Sequence, residues 1–165
     1  MGLWRHKLQY LTRPDTTPGE TQRGRRPFEL EYAVQVSIQA TPAQIWKLLT
    51  TADEYTQWNQ TVISVEGQIS SAGKFTLVSK LAPKQPFHLH VSCFEPCQKM
   101  IWRSGRAPFF SGQRTYTLLQ EGEQVLFTMR EVFQGILLPA MALILPNFRE
   151  NFAQFAQDLK QTAEA

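Results

Sequence analysis

Three side chains able to do polar chemistry, Arg114, Tyr116 and Glu131, fall on two neighbouring stretches of period-two alternation, residues 113–119 and 124–133. Glu121-Gly122 between them fits a two-residue hairpin turn that pairs Gln120 with Glu123. That register sets Leu118 opposite Val125, Tyr116 opposite Phe127 and Arg114 opposite Met129, all on one face. It also places Glu131 opposite Gly112, diagonal to Arg114 and within its reach. An ion pair in such an apolar wall is costly unless geometry and further hydrogen bonds offset the desolvation. Two readings stand side by side: a polar anchor for a bound molecule, or a structural pair joining two strands. If the protein is an enzyme, Glu131 is the candidate general base, with Tyr116 or Arg114 polarising a carbonyl.

Other chemistries find less support. His88 and His90 lie near Cys93 and Cys97, which offers nitrogen and sulfur ligands for zinc. Strand parity opposes it: Phe87, Leu89, Val91 and Cys93 form the apolar phase, leaving both histidines with Ser92 toward solvent. The spacing matches no standard zinc signature, so no metal is expected. Neither a Gly-x-Ser-x-Gly elbow nor a glycine-rich phosphate loop occurs, and no cofactor is expected. Two cysteines in 165 residues give no disulfide framework and suit a reducing compartment. The first residues lack the apolar core of a signal peptide, so a cytoplasmic location is the expectation.

Positioning these residues falls to a chain long enough for one core. Its net charge of +3 is unevenly spread: residues 1–27 carry +4 and the remainder −1. A nucleic-acid partner is therefore not expected, since a binding domain carries its basic stripe on its folded surface. Residues 12–27, rich in proline, glycine and charge, read as a linker, making residues 1–27 a basic arm before a domain at 28–165. The arm is a candidate for contact with a membrane surface. From residue 31 the pattern alternates; Thr41-Pro42 then caps a short helix that buries Ile45, Trp46, Leu48 and Leu49. A second short helix, Thr51 to Tyr55, closes on Trp58. Six more strands follow, at 62–66, 74–79, 87–94, 99–103, 113–119 and 124–133, giving about seven antiparallel strands in all. Leu137, Met141, Ile144 or Leu145, Phe148, Phe152, Phe155 and Leu159 then form a helical stripe, with a kink or break expected just before Pro146. The run Gly135–Pro146 is too short to span a bilayer and reads as buried.

Strand, two short helices, six strands and a long C-terminal helix is the order of the α+β helix-grip fold. Ala40-Thr41-Pro42-Ala43-Gln44-Ile45-Trp46, Tyr55-Thr56-Gln57-Trp58-Asn59, Ile101-Trp102 and Glu131-Val132-Phe133-Gln134-Gly135 resemble the START/Bet v 1-like (SRPBCC) superfamily, with the polyketide cyclase/dehydrase and lipid-transport group most similar. The resemblance covers about residues 30–160. It implies a curved sheet gripping the last helix around a hydrophobic cavity. It departs at Arg114, where many relatives carry a histidine. The implied function is binding, with or without transport, of a hydrophobic small molecule or lipid; a cyclase or dehydratase and a ligand-free interaction module are the alternatives. Residues expected at the ligand are Trp58, Phe75, Leu89, Trp102, Phe110, Arg114, Tyr116, Phe127, Met129, Glu131, Phe133, Met141, Phe148 and Phe152. Phe109-Phe110, stiffened by Pro108, is the expected gate.

Overall fold

The computed structural model describes residues 19–165. The expectations for Leu3, Trp4 and the rest of residues 1–18 lie outside that range. Eight antiparallel strands form a single curved sheet: β1 (Gln22–Arg26), β2 (Glu29–Ile38), β3 (Val62–Gly67), β4 (Lys74–Ser79), β5 (Phe87–Glu95), β6 (Lys99–Arg106), β7 (Phe110–Glu121) and β8 (Gln124–Gln134). Their spatial order is β1-β2-β8-β7-β6-β5-β4-β3. Strands β3 to β8 thus form a meander, and the chain's beginning docks on the meander's last strand. Between β2 and β3 lie α1 (Pro42–Thr50), a 3-10 turn (Ala52–Glu54) and α2 (Tyr55–Trp58); after β8 come α3 (Leu138–Met141) and α4 (Arg149–Ala163).

Strand β2 alternates without fault, burying Leu30, Tyr32, Val34, Val36 and Ile38 against the interior. Helix α1 starts on a reciprocal cap. The Gln44 amide donates to the Thr41 hydroxyl at 3.2 Å, the Thr41 amide donates to the Gln44 side chain at 2.9 Å, and Pro42 takes the first turn. Helix α4 lies across the concave face, where Phe152, Phe155, Ala156 and Leu159 are buried. Both of its ends are tied to the first strands. Thr21 donates its hydroxyl to the Arg149 carbonyl at 2.7 Å, and the Lys160 ammonium donates to the Ser37 carbonyl at 2.6 Å. Midway, buried Asp158 accepts from the Gln60 amide at 2.8 Å and from Gln154 Nε2 at 2.7 Å, so its charge is hydrogen-bonded.

The structure corrects three expectations. First, Gln22–Arg26, assigned to a linker, forms an eighth strand. All five residues are exposed, so no apolar alternation marked it, and its pairing to β2 is carried by backbone bonds. Its three arginines keep this sheet edge charged, a device that discourages edge-to-edge association. Second, the β7–β8 register is displaced by two residues. Gly122, at φ +63°, takes the first position of the loop and Glu123 the second, so Glu121 pairs with Gln124, Leu118 with Phe127 and Tyr116 with Met129. An even displacement preserves faces but changes partners, and it moves Arg114 directly opposite Glu131. Third, the C-terminal stripe is not one kinked helix. The chain leaves helical conformation between Met141 and Arg149, because Pro146 lacks an amide hydrogen and bars the residue before it from the helix. Of the run expected to be buried, Leu138 is, but Ile136, Leu137, Leu143 and Ile144 stand 58%, 48%, 86% and 74% exposed.

Candidate functional site

A cavity opens between the concave sheet and the start of α4, lined by Thr61, Val62, Leu77, Ser79, Phe87, Leu89, Trp102, Ser104, Phe110, Arg114, Glu131, Phe133, Leu145, Phe148 and Asn151. A water-sized sphere can move its centre through about 80 Å³ of this space. By the measure in which one water needs roughly 10–15 Å³, that is room for about half a dozen waters or a small apolar group. The floor comes from alternate positions of β4 to β8, whose side chains converge because the sheet curves. The roof comes from Leu145, Phe148 and Asn151 at the break before α4.

The charged centre of the wall is the cross-strand pair Arg114–Glu131. Arg114 Nε donates to Glu131 Oε2 at 2.8 Å, and Nη2 donates to the same oxygen. Their side chains are 17% and 9% exposed. Burial alone would lower the arginine pKa, but the Glu131 charge outweighs it and holds the pKa above the usual value. The Arg114 guanidinium also lies 5.1 Å from the centre of the Phe152 ring. Among the described residues, no donor reaches Glu131 Oε1.

Tyr116 lies behind this pair, not on the cavity wall. It is fully buried, edge-on to Trp102 with ring centres 4.8 Å apart. Its hydroxyl and that of Tyr55 sit near Arg114 without a hydrogen bond among the described residues, as does Trp102 Nε1. Burial pushes the Tyr116 hydroxyl up to about 12, with Arg114 opposing the shift, and burial followed by Tyr116 raises Tyr55 well above its usual value. A folded pKa above the unfolded one makes the neutral hydroxyl a source of stability below about pH 10 that is lost as pH rises toward about 12. Two pK units amount to about 3 kcal/mol at most. Urea unfolding from about pH 9 to about pH 11.5 should therefore show a steep loss of stability that Tyr116→Phe makes shallower; parallel pH curves for the two proteins would refute the assignment.

Of the residues expected at a ligand, Leu89, Trp102, Phe110, Arg114, Glu131, Phe133 and Phe148 line the cavity. Trp58, Phe75, Tyr116, Phe127, Met129 and Phe152 are buried in packing instead, and Met141 sits half-buried in α3. Trp58 packs against Tyr55 and Phe155, at 5.0 and 5.4 Å between ring centres, and Phe75 packs edge-on to Trp102 at 4.7 Å. Phe110 stacks on Phe133 at 6.0 Å, whereas Phe109 is 49% exposed. His88 and His90 are exposed, and His88 meets the Thr76 hydroxyl at 3.1 Å. Among the described residues no group of three or more His, Cys, Asp or Glu converges. Sequence reasoning missed Thr61, Ser79, Ser104 and Asn151 at the wall. Parity signals Ser79 and Ser104, which share phase with Leu77 and Trp102; nothing local signals the other two.

The sequence profile described as polyketide cyclase/dehydrase and lipid transport matches residues 29–164. No curated protein matches the chain in sequence. Similar solved structures include the Zhui aromatase/cyclase from Streptomyces sp. R1128, 12% identical with a TM-score of 0.67 over 82% of this chain and 94% of that one. A conserved protein from Enterococcus faecalis is 17% identical with a TM-score of 0.62 over 88% and 77%. Another, from Thermus thermophilus, is 16% identical with a TM-score of 0.62 over 81% and 96%. At these identities the likeness shows the helix-grip fold alone. No helix among the described residues is long and apolar enough to cross a membrane.

Proposed function

Because the chain belongs to the polyketide cyclase/dehydrase and lipid transport family, we propose that its cavity binds an uncharged, largely apolar small molecule or lipid carrying an oxygen function. The observation that carries this reading is the self-neutralised Arg114–Glu131 pair set in an otherwise mostly apolar wall. An anionic group would have to compete with Glu131 for the guanidinium inside a poorly solvated site, where an unpaired charge is expensive. A neutral oxygen avoids that competition. It can accept from Arg114 or from Trp102 Nε1, which has no partner among the described residues, while Glu131 Oε1 accepts from a ligand hydroxyl. Apolar contact supplies the bulk of the affinity, about 2.5 kcal/mol for each 100 Å² removed from water.

Native mass spectrometry of the purified full chain tests this. The expected result is a neutral apolar molecule retained by the protein, with Ser104→Phe, which fills the space beside Trp102, lowering retention about tenfold while the fold survives. Wild-type retention by Ser104→Phe would place the ligand elsewhere, and no retention of any apolar molecule by the wild type would remove the reading.

A cyclase or dehydratase is the second reading, favoured by the family's description and by the acceptor left open on Glu131. Glu131 would then take a proton from the substrate while Arg114 polarises a carbonyl. Recovery of only unaltered lipid counts against it.

A further inference from the structure

Six large apolar side chains are exposed at one end of the sheet: Phe28, Phe109, Ile136, Leu137, Leu143 and Ile144. Backbone bonds draw the first four together. The Gly135 amide donates to the Phe28 carbonyl at 3.2 Å, the Ile136 amide to Pro108 at 3.0 Å and the Leu137 amide to Phe109 at 3.0 Å. Helix α3 carries the same surface on to Leu143 and Ile144, the most exposed of the set. These residues adjoin the cavity, since Phe110 and Leu145 line it and follow Phe109 and Ile144 in the chain. Monomeric proteins seldom leave so much contiguous apolar surface uncovered without a partner.

Charge indicates what covers it. Residues 135–148 contain no ionisable side chain. The turns beside them carry Arg25, Arg26 and Arg106, all exposed, against Glu29, whose carboxylate already meets Arg26 at 3.6 Å. Arg149 and Glu150, which open α4, cancel. Apolar tips standing clear of the surface with arginines at their flanks suit insertion among acyl chains below anionic headgroups. We infer that this rim docks the protein on an anionic phospholipid bilayer, with the cavity wall against the membrane. The inference extends the cavity reading but does not depend on it.

Co-sedimentation of the full chain with phosphatidylcholine vesicles, with and without a minor share of phosphatidylglycerol, provides the test. Binding should favour the anionic vesicles and weaken as salt rises. Leu143→Asp/Ile144→Asp, at positions too exposed to support the core, should lower the partition about tenfold or more with an unchanged melting temperature. Arg26→Gln/Arg106→Gln should reduce binding to anionic vesicles selectively. Wild-type protein that ignores both vesicles, or an apolar double variant that binds as well as wild type, overturns the proposal. So does a wild-type dimer that the double variant dissolves, because the rim would then be covered by a second copy. Ligand retention measured on the same variant separates the two ideas: loss of vesicle binding with the cavity ligand kept supports docking, whatever the ligand proves to be.

Discussion

Arg114→Met should destabilise the fold by about 3–5 kcal/mol at neutral pH, whereas Arg114→Met/Glu131→Leu should return to within about 1–2 kcal/mol of wild type. The asymmetry follows from the site. Glu131 is 7% exposed, and the two donors that reach it both come from Arg114. Removing the guanidinium leaves a carboxylate buried against Trp102, Phe133 and the Phe152 side of the core, with its desolvation no longer offset. Removing both charges removes that penalty, and methionine and leucine fill similar volume. Urea unfolding of the wild type, both single variants and the double variant gives the coupling energy as a double-mutant cycle. A single variant that loses less than about 1 kcal/mol would mean that the pair is solvated and not part of the wall. The same proteins separate the two roles that Arg114 and Glu131 could have. If the double variant is stable yet retains its ligand about tenfold less well, the pair orients the ligand; if it is stable and retains ligand fully, the pair only joins β7 to β8.

How much of this was legible in the sequence depended on whether the determining contact was local. Strand β4 falls on Lys74–Ser79, as its alternation and flanking glycine predict, and the Thr41-Gln44 cap is written within four residues. The hairpin shows where locality ends. Either Gly122-Glu123 or Glu121-Gly122 can make the two-residue loop, and the choice rests on which loop position needs positive φ. Because the displacement is even, the inward faces of Arg114, Tyr116 and Glu131 could be read correctly while their partners were not. Strand β1 was invisible for the opposite reason: an exposed edge strand owes its place to backbone pairing, which leaves no trace in side-chain pattern. The polar wall residues Thr61 and Asn151 come from a loop and a helix that meet only after the sheet has curved. The run Gly135–Pro146 marks a further limit, since hydropathy registers apolar residues but not whether the protein's own core or an external surface will cover them.

Phe152→Ala should cost about 3–5 kcal/mol of stability, the range for losing a large buried ring whose space cannot fully collapse. Its ring has no exposed surface and lies between two elements that otherwise meet through few large groups. It contacts Tyr32 of β2 at 5.9 Å and Phe148 at 6.1 Å, and it supports the Arg114 guanidinium at 5.1 Å. The cation–π contact adds about 1–2 kcal/mol to the loss because the guanidinium is largely desolvated there. Leucine restores part of the volume but not the ring face, so Phe152→Leu should fall between alanine and wild type. The void left by alanine opens beside Arg114 and Phe148, both cavity residues, and so should join the existing space instead of closing. Stability and capacity then trade against each other: the alanine variant should unfold at lower urea yet retain ligands with a bulkier apolar portion than the wild type accepts. A variant as stable as wild type would contradict the packing of α4 on β2. A destabilised variant with unchanged ligand preference would mean that Phe152 bounds the core and not the cavity, leaving the break before α4, with Leu145 and Phe148, as the part of the roof that sets ligand size.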